Sequence, residues 1–418
     1  MGTALRVGIF LGLAQIKRTS FWTNALIVFI MLLTFLNLVV VNGILVGLIE
    51  GSSQAYIAQY SGDVILSNNT NRTHILQTPE ITSYIQKHPD VVSYSVRYLQ
   101  SGTVEATLER RIDERVPNNK TGTIITGINP ANEDQVTNLS SLIVEGEYLS
   151  SDDVQGILIG TDILDEYNTF DDPRNPALEN VRVGDKVRVQ VEGQEQEYTV
   201  RGIVQSKIGE VGQRVFMLDT RLRQLITRAN RLDADEIAIR LINSSDQAAQ
   251  LFAQDLKDNG FDQSALIQTA KESQGQFFID IKNTFTILGN LIGLIGIVVA
   301  SITVFIVIFI NAITRKRFIG ILKGIGIRGV AIEIAYITQS IIYALIGAGL
   351  GLAATYFILV PFFAQHPIDF PFSDGILVAP FAQTIIRVLG LVITTLISGY
   401  IPARIIVNKN TLESILGR

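Results

Sequence analysis

The sequence lacks cysteine altogether and contains only three histidines. Without cysteine, disulfides, thiolate metal sites and cysteine nucleophiles are excluded. The histidines, His74, His88 and His366, are too far apart in the sequence to suggest a zinc site. Neither a phosphate-binding G-x-x-x-x-G-K-[ST] loop nor a G-x-S-x-G nucleophile motif occurs. We therefore predict a non-catalytic chain that binds no metal and no cofactor of its own.

Charge is also scarce, since only 17% of the 418 residues are charged and the formal net charge is -5. Such a chain has no positive field to attract nucleic-acid phosphates, so we expect no nucleic-acid partner. Three short acidic clusters lack the ligand spacing of a calcium loop and are interpreted as solvated surface. They are Asp152–Asp153, Asp171–Asp172 and Asp233–Asp235–Glu236.

Hydrophobic residues make up 47% of the chain and concentrate in four long apolar stretches. Crossing a bilayer takes ~20 apolar residues of helix, because lipid offers no partner to an unpaired backbone amide. The segment between the first two stretches is long and rich in charges and turns. The predicted fold class is therefore a membrane protein with four transmembrane α-helices and a large α+β extracytoplasmic domain inserted between helices 1 and 2.

Lysine and arginine in the short loops predict the orientation, because these residues are retained on the cytoplasmic side during insertion. Cations flank the first span on its N-terminal side and occur in the loop after the second span and in the C-terminal tail, whereas the loop at 361–381 has none. Both termini are therefore predicted in the cytoplasm and the large domain outside, in a cytoplasmic (inner) membrane. The predicted order is a cytoplasmic interfacial helix at 1–22, spans at 23–49, 282–314, 331–360 and 382–402, the extracytoplasmic domain at 50–281, a cytoplasmic loop at 315–330, an outer loop at 361–381 and a cytoplasmic tail at 403–418.

Residues 1–22 mix apolar positions with Arg6, Lys17 and Arg18. This composition predicts an amphipathic helix on the inner membrane face, with a solvated arm as the alternative. The apolar run that follows is longer than the ~7–15 residues of a signal peptide, so we expect a retained helix.

Within the large domain, alternating apolar residues predict strands and polar caps predict helices. The strands are predicted at 90–98, 186–192, 197–204 and 238–242, the middle two forming a hairpin across Gly193. The helices are predicted from Pro79 to His88, and from the N-cap candidates Asn243, Ser244 and Ser245 to Leu256. Turn-rich stretches at 67–72 and 165–179 predict two lobes. Residues 263–283 predict a stalk helix that runs into the second span, or a separate helix followed by a break.

Two pairs of glycines are spaced four residues apart in the predicted spans, Gly289 with Gly293 and Gly347 with Gly351. Small residues at this spacing allow helix backbones to approach closely. Packing within one chain and packing between two chains are both compatible with the pattern.

The predicted inner loop contains the sequence Arg315-Lys316-Arg317-Phe318-Ile319-Gly320-Ile321-Leu322-Lys323-Gly324-Ile325-Gly326. As physical chemistry alone, it is a positive-inside loop with an amphipathic turn. It also resembles the cytoplasmic signature of FtsX-like ABC permeases, in which basic residues precede E-I-G-I-L-[RK]-A-x-G. Phe318 stands where that family usually has glutamate, and Gly324 stands where it usually has alanine.

The resemblance extends along the chain. Segments at 61–64, 145–149, 159–160, 183–185 and 200–204 look like the extracytoplasmic core domain of the MacB and LolC/LolE relatives. Segments at 400–404 and 411–416 are similar to the C-terminal end of sequences in this family, with Thr411 where a proline is usual.

The resemblance implies a type VII ABC permease subunit that works with other proteins. Its partners would be a cytoplasmic ABC ATPase dimer, which binds ATP and Mg, a second copy or a homologous permease, a periplasmic adaptor protein in some relatives, and membrane lipid. The residues that contact the ATPase would be Arg315, Lys316, Arg317, Phe318, Gly320, Ile321, Leu322, Lys323 and Gly326.

The leading functional hypothesis is mechanotransmission. ATP hydrolysis in the partner would move the loop, and the second span would carry the movement to the extracytoplasmic domain, for export or extraction of a lipoprotein, drug, peptide or haem. The alternative is an FtsX-like signalling subunit that activates a cell-wall hydrolase or senses peptides without transport. A third hypothesis is a membrane-anchored binding module with no motor.

Overall fold

The structure is a computed structural model that describes residues 2–69, 72–106, 119–167, 175–226, 232–370 and 373–408. Asp171, Asp172 and the C-terminal segment 411–416 lie outside these residues. The described chain divides into two compact units. The helical unit contains residues 2–49, 280–370 and 374–408, and the sheet unit contains residues 50–279 with 373.

Four helices are long and apolar enough to cross a membrane, which confirms the predicted fold class. We call them the first to fourth span helices: Phe21–Ser61, Phe278–Thr314, Gly329–Gln365 and Phe381–Val407. The second is the apolar part of a continuous helix, Gly275–Thr314. Short π-helical segments interrupt the first at Asn37–Val41 and Ile57–Ser61, and the third at Thr355–Leu359. The span helices are accompanied by an N-terminal helix, Gly2–Arg18, a loop helix, Lys316–Gly324, and two short paired strands, Ile368–Phe370 and Ser373–Gly375.

The N-terminal helix packs against the beginning of the third span helix. A Cβ at Gly8 would lie 2.6 Å from Cβ of Ile334, and a Cβ at Gly12 would lie 2.7 Å from the carbonyl oxygen of Ala335. The two glycines are buried, so only residues without a side chain permit this approach. Apolar residues on other sides of the helix, including Phe10, are exposed.

The sheet unit contains ten described strands in one sheet, in the order β10-β1-β9-β2-β3-β8-β5-β7-β4, with β6 paired to β2 and β7. The strands are β1 Val64–Ser67, β2 Val91–Glu105, β3 Lys120–Ile128, β4 Ile143–Gly146, β5 Gly156–Gly160, β6 Lys186–Val191, β7 Gln194–Val204, β8 Arg214–Leu218, β9 Glu236–Leu241 and β10 Leu266–Thr269. The α-helices are Thr78–Lys87, Pro130–Thr137, Gly209–Gly212, Asp219–Leu225, Asp246–Asp258 and Ala270–Ser273, and the 3-10 helices are Leu139–Leu142, Thr161–Ile163 and Phe261–Gln263.

Several local predictions for this unit are confirmed. β6 and β7 form the predicted antiparallel hairpin, with Val189 opposite Gln196. Among the three N-cap candidates, Ser245 caps the helix Asp246–Asp258, because its hydroxyl accepts a hydrogen bond from the backbone N–H of Ala248. These elements are determined by neighbouring residues, so sequence patterns predict them well.

Strand β2 corrects the predicted division into two lobes at 67–72 and 165–179. Residues Val91–Arg97 pair with β9, and residues Tyr98–Glu105 pair with β3. One hydrophobic core contains β9 and the helices Thr78–Lys87 and Asp246–Asp258, and another contains β6, β7 and β8. Both cores lie along the same strand, so β2 joins the lobes, and it extends past residue 98, where the predicted strand ends.

The prediction of a helix over residues 263–283 is wrong for the first half of that range. Residues Leu266–Thr269 form β10, which pairs with β1. A single helical turn, Ala270–Ser273, follows under a capping box made by Thr269 and Glu272. Gly275 then has a φ of 77°, which favours glycine and separates this turn from the helix that continues to Thr314. Strand pairing, which the local sequence does not encode, decides the conformation here.

Candidate functional site

The predicted inner loop forms the loop helix, and one of its faces is buried. Ile319, Gly320 and Leu322 lie on this face. The two larger side chains pack with apolar residues of the second, third and fourth span helices, including Ile308, Ile332 and Ile406. The loop helix is therefore held by hydrophobic packing on three helices at once.

The opposite face of the loop helix is apolar but open. Phe318, Ile321 and Ile325 are 45%, 47% and 71% exposed, respectively. Spacings of three and four residues place them on one side of the helix, where we call them the exposed stripe. Arg317 is exposed next to them along the sequence. At position 318, the departure from the family pattern replaces an acidic side chain with additional apolar surface.

Two of the predicted cations anchor the loop helix within this chain. Arg315 donates a hydrogen bond from Nη2 to Oγ1 of Thr19, at 3.1 Å, in the turn before the first span helix. Lys323 donates from Nζ to the carbonyl oxygen of Val407, at 2.8 Å, at the C-terminal end of the fourth span helix. A cation is favourable there because the last carbonyls of a helix carry partial negative charge. Lys316, the first residue of the loop helix, is half-buried and also has an interaction partner.

Gly326 ends the loop helix. Its φ of 93° lies in the region that favours glycine. The N–H of Gly326 bonds to the carbonyl of Lys323, and the N–H of Ile327 bonds to the carbonyl of Leu322, both at 3.0 Å. This pair of bonds is a Schellman motif, which satisfies carbonyls that would otherwise be unpaired at the helix end.

Both predicted glycine pairs face the first span helix of the same chain. A Cβ at Gly289 would lie 3.0 Å from the side chain of Asn42, and one at Gly293 would lie 3.3 Å from that of Leu38. The third-span pair is tighter: a Cβ at Gly347 would lie 2.3 Å from Cβ of Met31, and one at Gly351 would lie 2.2 Å from the ring of Phe35.

The span helices contain a third glycine pair with the same spacing, Gly43 and Gly47, which was missed by the sequence reasoning. A Cβ at Gly47 would lie 1.8 Å from the carbonyl oxygen of Ile376, and the carbonyl of Gly43 accepts a hydrogen bond from the N–H of Val378 at 3.2 Å. Residues 376–378, before the fourth span helix, therefore lie across the first span helix. The spacing of four residues was the available signal, and the structure adds what fills the space.

The acidic clusters behave differently from one another. Asp153 pairs with Arg201 at 2.7 Å near the surface, whereas Asp235 and Glu236 are buried. The interpretation as solvated surface is therefore wrong for these last two residues. In the part of the chain that the structure describes, no group of three histidine or carboxylate side chains is positioned to hold a metal ion.

Comparison with known proteins identifies the C-terminal part of the chain. Residues 290–411 match the family described as FtsX-like permease C-terminal. The match includes most of the second span helix and all of the loop helix and the third and fourth span helices, so the resemblance to FtsX-like ABC permeases is confirmed. The chain thus carries a permease domain of the FtsX-like family, and this family implies an ABC transporter with an ATPase partner. No curated protein matches the chain.

Two solved structures are similar to half of the chain. The periplasmic region of MacB from Actinobacillus actinomycetemcomitans has 14% identity and a TM-score of 0.35, over 50% of this chain and 89% of that one. The extracellular domain of the noncanonic ABC-type transporter YknZ from Gram-positive bacteria has 15% identity and a TM-score of 0.32, over 50% of this chain and 98% of that one. At these values the similarity carries no argument about function.

Proposed function

We propose that this chain is the transmembrane permease subunit of an ABC transporter, and that it couples ATP hydrolysis by separate cytoplasmic ATPase subunits to movements of its sheet unit. The exposed stripe carries the proposal. An apolar surface formed by Phe318, Ile321 and Ile325, on a helix that is itself anchored to the spans, suits a docking contact with another protein. ATP and Mg would be bound by the ATPase.

The anchors of the loop helix support a mechanical role. A force on the exposed stripe would act on the second, third and fourth span helices through packing, and on the first through the bond from Arg315 to Thr19. Packed interiors deform little, so such a force is passed on as a displacement of whole helices. The same coupling would serve either of two functions: export or extraction of a substrate, or signalling of the FtsX-like kind without transport.

The orientation is part of the proposal: termini and loop helix in the cytoplasm, sheet unit outside, in the inner membrane. The chain has no native cysteine, so any thiol labelling of a single-cysteine variant comes from the introduced residue. In intact spheroplasts, a membrane-impermeant maleimide is expected to label a Glu195→Cys variant and to label Ile325→Cys only after permeabilisation. Both positions are exposed in the structure. The reverse pattern would contradict the orientation.

The coupling is tested by Ile321→Asp in the full chain, reconstituted in nanodiscs with the ATPase that copurifies with it. A charge in the centre of an apolar contact is expected to cost at least about 2 kcal/mol, which weakens ATPase binding about 30-fold. The measurements are ATPase affinity and the stimulation of ATP hydrolysis by the chain.

Ile321→Leu is the matched control, because it keeps an apolar side chain of the same size at the same position. Position 321 is preferable to the buried Leu322, where aspartate would disturb the packing of the loop helix itself. If Ile321→Asp binds and stimulates the ATPase like the unaltered chain, the exposed stripe is not the docking contact.

A further inference from the structure

The end of the first span helix meets a buried cluster of charges in the sheet unit. The cluster contains Arg97 from β2, Glu133 from the helix Pro130–Thr137, Arg214 from β8 and Glu236 from β9. Their side chains are only 2% to 10% exposed. Tyr60, in the last turn of the first span helix, is buried with them. Five elements that are distant in sequence therefore converge on one polar centre.

Tyr60 lies at the middle of this cluster. Its ring centroid is 4.9 Å from the guanidinium carbon of Arg97 and 5.0 Å from that of Arg214, so each cation contacts the aromatic ring. Its hydroxyl donates to Oε1 of Glu236 at 2.6 Å, and its backbone carbonyl accepts from Nη2 of Arg97, also at 2.6 Å. The backbone and the side chain of one helical residue are both bonded to the sheet.

The charges around Tyr60 are paired with directional geometry. Arg97 binds Glu133 through two hydrogen bonds, from Nε to Oε2 at 2.9 Å and from Nη2 to Oε1 at 2.7 Å. Glu133 also accepts from the hydroxyls of Ser95 and Thr137. The carboxylate of Glu236 accepts hydrogen bonds from guanidinium nitrogens of both Arg97 and Arg214, at 3.3 to 3.4 Å. Bidentate arginine–carboxylate pairs define the orientation of both partners.

The pKa shifts of Arg97, Arg214 and Glu236 all favour the charged forms of these side chains. Burial alone would raise the pKa of Glu236, but the charges of Arg214 and Arg97 outweigh it and lower that pKa. Burial alone would lower the pKa of Arg97, but Glu133 and Glu236 outweigh it and raise that pKa. With two cations and two anions, the cluster is electrically balanced.

Other bonds hold the same helix end. Arg240 of β9 donates to the carbonyl of Ile57 at 3.4 Å and also to the carbonyl of Val136. Ser206 donates to the side chain of Gln59 at 2.7 Å. Arg240 also donates to the carbonyl of Ala58 at 3.5 Å, so each residue from Ile57 to Tyr60 is hydrogen-bonded to another part of the sheet unit.

A buried ion cluster costs desolvation energy, and hydrophobic residues of similar volume often stabilise a protein as well or better. What charged hydrogen bonds add is a defined relative position of the elements that they join. We propose that the cluster is a joint that fixes the sheet to the end of the first span helix, with Tyr60 as the positioning residue. On the proposed function, a displacement of this helix would then reach the sheet without being lost in local motion.

The joint is tested in the full chain by electron–electron distance measurement between spin labels on Gln54→Cys, in the helix end, and Glu195→Cys, at the start of β7. A Tyr60→Leu variant removes the ring and the hydroxyl and is expected to broaden the distance distribution about twofold, because the helix end then opens locally from the sheet. Tyr60→Phe removes only the hydroxyl and is expected to broaden it less.

The control is Leu256→Ala, which removes a buried side chain from the core beside β9 without touching the cluster. Leu256→Ala should lower the stability of the sheet unit and leave the distance distribution between the two labels narrow. The proposed joint would be contradicted if the distance distribution between the labels is unchanged in both Tyr60 variants, or if Leu256→Ala broadens it as much as they do. The measurement requires no ATPase, so a negative result in the Ile321→Asp experiment would remove the proposed coupling and leave this result as it stands.

Discussion

Replacing Arg97 with methionine is expected to cost the sheet unit about 3–5 kcal/mol of stability, because it leaves the buried Glu133 without its bidentate partner and leaves Glu236 with Arg214 as its one remaining cation in the cluster. The loss should appear as faster hydrogen exchange of the most protected amides of β2 and β9, measured by mass spectrometry on the full chain. Every 1.4 kcal/mol is a factor of about ten, so exchange should accelerate by more than about a hundredfold.

Two variants show whether the loss comes from the unpaired charge. Arg188→Met makes the same substitution in a more exposed ion pair, with Glu105 at 3.5 Å, and is expected to cost at most about 1 kcal/mol. The double variant Arg97→Met with Glu133→Met removes one cation and one anion, so it should be less destabilised than Arg97→Met alone. If Arg97→Met is no more destabilising than Arg188→Met, the buried charges are not coupled as described.

Leucine at Gly347 and Gly351 together is expected to disrupt the contact between the first and third span helices. At Gly347 the new side chain would meet Met31 and also the backbone nitrogen of Leu32 at 3.1 Å, and at Gly351 it would meet the ring of Phe35. Overpacking of this kind costs about 1–3 kcal/mol per site, and a backbone neighbour leaves little room for relief. The measurement is the temperature at which half of the detergent-solubilised chain loses its monodisperse elution peak.

Gly349 provides the matched control on the same helix, because it is exposed and a Cβ there would meet nothing within 4 Å. Gly349→Leu should be neutral or stabilising, since leucine has a higher helix propensity than glycine by about 0.5–1 kcal/mol. Equal behaviour of the double variant and the control would show that the close approach of these helices is not required.

The span helices and the β6–β7 hairpin could be predicted because each depends on residues close in sequence. Helix length, apolar composition and alternation are local properties. The loop helix belongs to the same class, since its sequence already carries an amphipathic pattern. The sequence did not show, however, which of its cations anchor the helix within the chain and which remain exposed. Arg315 and Arg317 are two residues apart, yet only Arg315 reaches Thr19.

The sequence by itself determined that this chain has four membrane-spanning candidates, a large inserted domain and a cationic loop of the FtsX-like type. Only the tertiary structure decided that Glu236 is buried between two arginines, that residues 266–269 form a strand, and that Gly43 and Gly47 accommodate residues 376–378. The physical reason is the range of the interactions. Hydropathy and periodicity act over a few neighbouring residues, whereas strand pairing, charge burial and close helix contact depend on partners far away along the chain.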